Sequence, residues 1–197
     1  MHGVFIVIYG TNNIGKSTQA KRLVAYLQER GYTVEYLKYP IYDSPTGMAI
    51  SDILRSGKKQ KLTEEEFQAM YYKNRKDYEP TLKKKLAEGV VVIAEDYIGT
   101  GIAWGSAKGA SKTSLIKQNS DLVKEDMAIL MDGERFTAGM EEKHLHERDA
   151  ALIEEVRTQF LSLAEENHWK IVHANQSEEK VFLDIIECIK PIIPYLQ

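Results

Sequence analysis

An uninterrupted apolar run, Val4-Phe5-Ile6-Val7-Ile8, leads almost directly into Gly10-Thr11-Asn12-Asn13-Ile14-Gly15-Lys16-Ser17-Thr18. No other feature of the chain narrows its fold as much. β-branched and aromatic residues without a polar break suit a strand buried on both faces, as in a parallel sheet. The next segment fits G-x-x-x-x-G-K-[ST] at every fixed position, and Ala20, Leu23, Val24 and Leu27 then recur at helical spacing as far as Gly31. Strand, glycine loop and helix in that order make a phosphate-binding loop. Gly10 and Gly15 allow backbone N–H groups to turn towards phosphate oxygens. The positive end of the following helix adds to the attraction. Lys16 is placed to reach the β- and γ-phosphates of ATP and the Ser17 hydroxyl to ligate Mg²⁺. Gly10 through Thr18 are thus the expected ATP-binding residues. Asn12 is also expected to touch the acceptor. Asn13 suits either a ligand contact or a left-handed turn.

The rest of the chain alternates strands and helices. Strands are expected at 33–37, 90–94, 127–131 and 170–173, and helices at 46–55, 81–88, 111–120, around Leu152, Val156, Phe160 and Leu163, and at 178–190. Thr63 and Glu66 have the spacing of a capping box, opening a helix expected to run through Arg75. The glycine-rich stretch 99–109 reads as a loop with room for one helical turn. The polar, weakly periodic stretch 134–148 reads as a mobile lid. The pattern predicts an α/β, three-layer P-loop fold: about five parallel strands with helices on both faces and a short lid. With 197 residues and no linker or repeat, one domain over 1–197 is expected.

Composition excludes several classes. A net charge of −3 argues against broad nucleic-acid binding. The single cysteine, Cys188, cannot form a disulfide within the chain and fits a reducing compartment. No segment approaches the roughly 18 apolar residues of a membrane span. A cytoplasmic setting without membrane or nucleic-acid partners is expected. The guanine-reading N-K-x-D tetrapeptide is absent, which weakens a GTPase reading.

Several ordered motifs resemble the thymidylate kinase family over nearly the whole chain. They are the N-terminal strand with GTNNIGKSTQ, Tyr39-Pro40 followed by Thr46-Gly47, and Tyr71-Tyr72-Lys73-Asn74-Arg75. Further along come Glu95-Asp96-Tyr97 with Thr100-Gly101-Ile102-Ala103-Trp104, then Ala107-Lys108-Gly109-Ala110, and the terminal WKIVHANQSEEKV. The resemblance implies transfer of the ATP γ-phosphoryl group to dTMP with Mg²⁺, in a homodimer. It also implies roles. Tyr71 and Arg75, four apart on one helical face, are the implied thymine readers, by stacking and by donation to a base carbonyl. Tyr39, Tyr97, Thr100 and Gly101 are implied to line the acceptor pocket. Trp104 is implied to exclude a ribose 2′-hydroxyl, with core packing as its competing reading. Glu95 is implied to help order Mg²⁺ together with Ser17. In the lid, Arg148 and then Arg135 are the candidate catalytic cations beside Lys16, with solvated surface charge as the alternative.

Two positions depart from the family pattern. Asp96 stands where an arginine is expected to grip the acceptor phosphate, and Tyr42 replaces a second such arginine. A carboxylate there repels a phosphate unless Lys38, Arg55 or a metal ion compensates. Three alternatives follow. One is a deoxynucleoside kinase, whose hydroxyl acceptor calls for a carboxylate base. Another is a different nucleoside monophosphate as acceptor. The third is a nucleotide-binding homologue with little catalysis, which the intact Lys16 and Ser17 argue against.

Overall fold

A computed structural model of the chain describes residues 2–55, 61–136 and 150–193. Five parallel strands form one sheet in the order β2-β3-β1-β4-β5. They are β1 (Phe5–Tyr9), β2 (Val34–Lys38), β3 (Val91–Glu95), β4 (Met127–Asp132) and β5 (Lys170–His173). The helices are α1 (Lys16–Gln28), α2 (Pro45–Arg55), α3 (Glu64–Ala87), α4 (Ile98–Ala107), α5 (Lys112–Gln118), α6 (Ala150–Glu166) and α7 (Glu178–Ile189). The expected strands are all present, some shifted by a residue.

β1 shows why the sheet is covered on both sides. Phe5, Val7 and Tyr9 join one core cluster with Leu82, Leu86, Trp104 and Phe160. Ile6 and Ile8 point the other way, to Leu23, Leu27, Ile185 and Ile189 of α1 and α7. Alternate side chains of one strand therefore fill two cores. Because all strands are parallel, their carboxyl ends share one edge. The loops after β1, β2, β3 and β4 meet there, where ligands bind in open α/β sheets.

Two expectations are corrected. The helix opened by the Thr63–Glu66 capping box does not end at Arg75; α3 runs on to Ala87 with Pro80 inside it. A proline within a helix costs about 3 kcal/mol. Burial on both sides of Pro80 offsets that cost. Arg75, Glu79, Leu82 and Leu86 recur on one buried face, while Pro80 is exposed. The second correction is the 99–109 stretch, most of which is helix α4. Its glycines mark close approaches. A Cβ on Gly99 would lie 2.4 Å from the Trp169 ring, and one on Gly105 would lie 2.6 Å from Leu115. The expected lid at 134–148 lies largely outside the described residues, including Lys143, His144, His146 and Arg148.

Candidate active site

The carboxyl edge carries a cleft of about 530 Å³. The phosphate loop forms one end. Gly10, Asn13 and Gly15 have φ of 147°, 59° and 93°. At Gly10 no other residue fits, because a Cβ would fall 2.6 Å from the Met131 carbonyl oxygen. Asn13 takes the left-handed turn, and its Nδ2 is buried without a partner. Lys16 folds back over the loop, donating to the Gly10 and Thr11 carbonyls at 2.8 and 2.9 Å. Ile14 is buried beneath the loop, and Thr18 lines the cleft. Arg135 reaches the loop from the far side: its Nε donates to the Asn12 carbonyl at 3.0 Å, and its Nη2 is buried without a partner. The Phe136 N–H donates to the Asn13 carbonyl at 2.8 Å.

The middle of the cleft is a tight charge cluster. Ser17 Oγ donates to Glu95 Oε2 at 2.8 Å, and Lys38 Nζ lies 3.3 Å from the same oxygen. The Tyr36 hydroxyl donates to Glu95 Oε1. Burial, and then the Glu95 carboxylate, push the Tyr36 phenol well above its ordinary range. Burial works to lower the Lys38 ammonium pKa, but Glu95 and Asp96 hold it above its usual value. Asp96 has φ of 57°, a strained region for a residue with a side chain. Its Oδ1 lies 3.7 Å from Lys16 Nζ and accepts from Thr100 Oγ1 at 3.0 Å. Burial raises the Asp96 carboxyl, and Lys16 opposes that rise.

The other end is aromatic. Tyr71 meets Phe67 edge-on, with ring centroids 5.1 Å apart. Arg75 is buried, and its Nη1 donates to Asn119 Oδ1 at 2.7 Å. Burial depresses its pKa, and surrounding tyrosines oppose that. Tyr39 and Tyr97 pack with centroids 5.0 Å apart, and both hydroxyls are buried without partners. Gly101 lies against Arg75: a Cβ there would fall 2.6 Å from Nη2. Trp104 is both core residue and cleft wall, so its two readings are compatible. Asn74 explains the neighbouring motif. Its Nδ2 donates to Ser44 Oγ and Thr46 Oγ1 at 2.9 and 3.1 Å, and its Oδ1 accepts from the Ile41 N–H at 2.7 Å. The turn before α2 is thereby fastened to α3. Gly47 lets that turn close, since a Cβ would lie 1.9 Å from the Ile41 carbonyl oxygen.

The family model described as thymidylate kinase matches residues 8–185. The chain belongs to the thymidylate kinase family. Curated relatives named thymidylate kinase come from Danio rerio, at 29% identity over 97% of this chain and 92% of that protein, and from Homo sapiens, at 30% over 93% and 88%. A probable thymidylate kinase from Thermococcus kodakarensis is 32% identical, covering 96% of this chain and 98% of that one. The fold is similar to the solved thymidylate kinase of Candida albicans, with a TM-score of 0.83 at 22% identity over 96% of this chain and 92% of that one.

Every candidate from the sequence that lies among the described residues, Arg135 aside, either lines this cleft or belongs to the phosphate loop. Arg148 lies outside them. The cleft also takes in side chains to which the sequence reading assigned no part: Gln68, Phe67, Lys108 and Phe136. Gln68 carries a signal, since it shares the helical face of Tyr71 and Arg75. Lys108 carries none, because the carboxylate it pairs with, Glu64, comes from a distant helix. Tyr36 is a third case. It looks like a strand residue and becomes relevant only through Glu95 on the paired strand.

Proposed function

We propose that this chain transfers the γ-phosphoryl group of ATP to the 5′-phosphate of dTMP, giving dTDP and ADP. One observation carries the reading: a single cleft has a phosphate loop at one end and the Tyr71–Arg75 pair at the other. The triphosphate lies along the loop N–H groups, with Lys16 releasing the Gly10 and Thr11 carbonyls to meet phosphate oxygens. The base lies against Tyr71, with Arg75 donating to a ring carbonyl. The sugar and acceptor phosphate span the distance between, beside Tyr39, Tyr97, Thr100 and Trp104. Asn12 at the loop tip faces both substrates. Positioning and charge stabilisation supply the catalysis, since phosphoryl transfer needs no covalent intermediate. Arg135 donates to the Asn12 carbonyl at the loop tip, and its unpartnered Nη2 suits a developing phosphate charge. Arg148, which lies outside the described residues, is assigned the same role.

Ser17 and Glu95 present hard oxygens 2.8 Å apart, a donor set that fits Mg²⁺. No group of three His, Cys, Asp or Glu able to hold a metal occurs among the described residues, so phosphate oxygens and water would supply the remaining ligands. The ion would neutralise charge on the transferring phosphate. Tyr36 and Lys38 hold the Glu95 carboxylate in place for it. The same reading treats residues 1–197 as one kinase domain, homodimeric and cytoplasmic, with no nucleic-acid or membrane partner. No described helix is long and apolar enough to cross a membrane. Sedimentation at the mass of two chains checks the dimer.

Asp96 favours a second reading, phosphorylation of a nucleoside 5′-hydroxyl. Its carboxylate beside Lys16 is where a general base would stand. ADP release with dTMP, dUMP, dCMP, thymidine and deoxycytidine separates the two. Turnover with dTMP supports the first reading, and turnover with nucleosides alone replaces it. Tight ATP binding without turnover of any acceptor leaves only a nucleotide-binding role.

A further inference from the structure

α3 carries a second polar side chain to the base end of the cleft, two turns before Arg75. Gln68 is 4% exposed, and its Nε2 donates to Glu64 Oε1 at 2.8 Å. A carboxylate accepts hydrogen bonds, so this contact fixes the amide with its nitrogen towards Glu64 and its oxygen turned away. Glu64 is itself held 3.6 Å from Lys108 Nζ, and that ammonium lies 5.8 Å from the centre of the Trp104 ring.

The freed oxygen has no donor. Gln68 Oε1 is screened from water and without a hydrogen-bond partner, a costly state for a buried acceptor. It also lies close to the arginine. A Cβ on Gly101 would fall 2.9 Å from Gln68 Oε1 and 2.6 Å from Arg75 Nη2. Gly101 thus packs closely against an acceptor and a donor that both line the cleft. Arg75 alone offers only donors, so it recognises a carbonyl without asking what stands next to it. An acceptor beside it asks that question. Thymine and uracil present the O4 carbonyl next to N3–H. Cytosine presents an amino group next to a bare N3.

We propose that Gln68 is a base-reading residue: its Oε1 accepts from N3–H of a thymine or uracil ring while Arg75 donates to O4. Glu64 and Lys108 are positioning residues that hold the amide in register. The inference rests on a thymine nucleotide or nucleoside being the acceptor.

The test is binding, by calorimetry on the full chain, of dTMP, dUMP, dCMP, 3-methyl-dTMP, thymidine and deoxycytidine. The wild type binds dTMP and dUMP at least about tenfold tighter than dCMP and 3-methyl-dTMP. Gln68→Met keeps the length and removes the acceptor. It loses about tenfold for dTMP and dUMP alike, leaves ATP binding unchanged, and narrows the dTMP-to-dCMP ratio to about threefold or less. Glu64→Gln frees the amide to turn and narrows the same ratio while Gln68 remains, which covers failure of Gln68→Met to fold. An unchanged ratio in the folded variants overturns the assignment. So does wild-type binding of 3-methyl-dTMP as tight as that of dTMP. The nucleosides keep this result apart from the monophosphate-kinase reading. If dTMP is not phosphorylated but thymidine binds, the ratio of thymidine to deoxycytidine reads Gln68 in the same way. If no thymine compound binds, both readings fall.

Discussion

The donor end of the cleft comes from one unbroken stretch, Gly10 to Thr18, and works mainly through backbone N–H groups. The acceptor end is assembled from β2, α3, the end of β3 and α4, and works through side chains. The donor end depends on φ values that glycine and asparagine tolerate, at Gly10, Asn13 and Gly15. The acceptor end depends on tertiary fits such as Gly101 against Arg75 and Asn74 against the turn before α2. Local conformation makes one half, and packing makes the other. The two halves should therefore fail differently when mutated.

Lys16→Met gives the largest expected effect, a fall in kcat of about 10²–10³, the scale for losing one group that stabilises transition-state charge. Calorimetry should show dTMP binding largely retained. An equal loss of dTMP binding would break the division into halves, because Lys16 also lies 3.7 Å from Asp96. Gly101→Ala tests the other side. The added Cβ, 2.6 Å from Arg75 Nη2, displaces the guanidinium and raises the KM for dTMP about tenfold, with the KM for ATP unchanged. A matching rise for ATP would count against the separation.

Asp96→Asn sharpens the comparison where the halves meet. Removing a negative charge should lower the KM for dTMP about threefold at neutral pH, as steady-state kinetics would show. A loss of turnover without that gain would point to the nucleoside reading. The pH dependence carries a sign. Burial raises the Asp96 carboxyl above its ordinary value of 3.8 in the folded state. The protonated acid therefore favours the folded chain below that value, and the contribution is lost as pH rises through the folded pKa. Asp96→Asn should gain stability relative to the wild type over that rise, as thermal unfolding at several pH values would show.

The smallest effect is expected at the end of β4, beside the loop. Arg157 Nε and Nη2 donate to the two Asp132 oxygens at 2.7 and 2.9 Å. The pair is partly exposed, so Arg157→Ala should cost about 1 kcal/mol or less. Arg157 holds the Asp132 carboxyl below its ordinary value of 3.8. Its contribution is present above pH 3.8 and fades as pH falls through the folded pKa. Denaturant titrations of wild type and variant should converge in acid, with activity at neutral pH little changed.

The same contrast explains what could be read from the chain alone. The phosphate loop was legible because its residues are adjacent and its glycines do a local job. The Thr63–Glu66 cap was legible for the same reason, and both of its hydrogen bonds are present. Glycine misled in α4, where Gly99, Gly101 and Gly105 serve close approach, which looks identical in sequence to a loop signal. α3 reads as two helices in the sequence because the buried residues that carry it past Pro80, Leu82 and Leu86, belong to a core not visible locally. Gln68 lay on a face already recognised. Glu64, which fixes its amide, is four residues away on the same helix, but the Lys108 that holds Glu64 comes from the end of α4 and could not be placed without the fold.

The unbroken α3 makes Tyr71 and Arg75 rigid extensions of Leu82 and Leu86, which are seated against the sheet. Each residue of a helix advances the chain by about 100° of rotation and 1.5 Å. One residue inserted or deleted between Arg75 and Leu82 would swing the aromatic and the guanidinium away from the cleft together. The helix is in effect a spline, keyed at the sheet end and cut to shape at the base end. A substitution at the base end recuts the teeth and leaves the key seated, whereas a change in the shaft's length unseats every tooth at once.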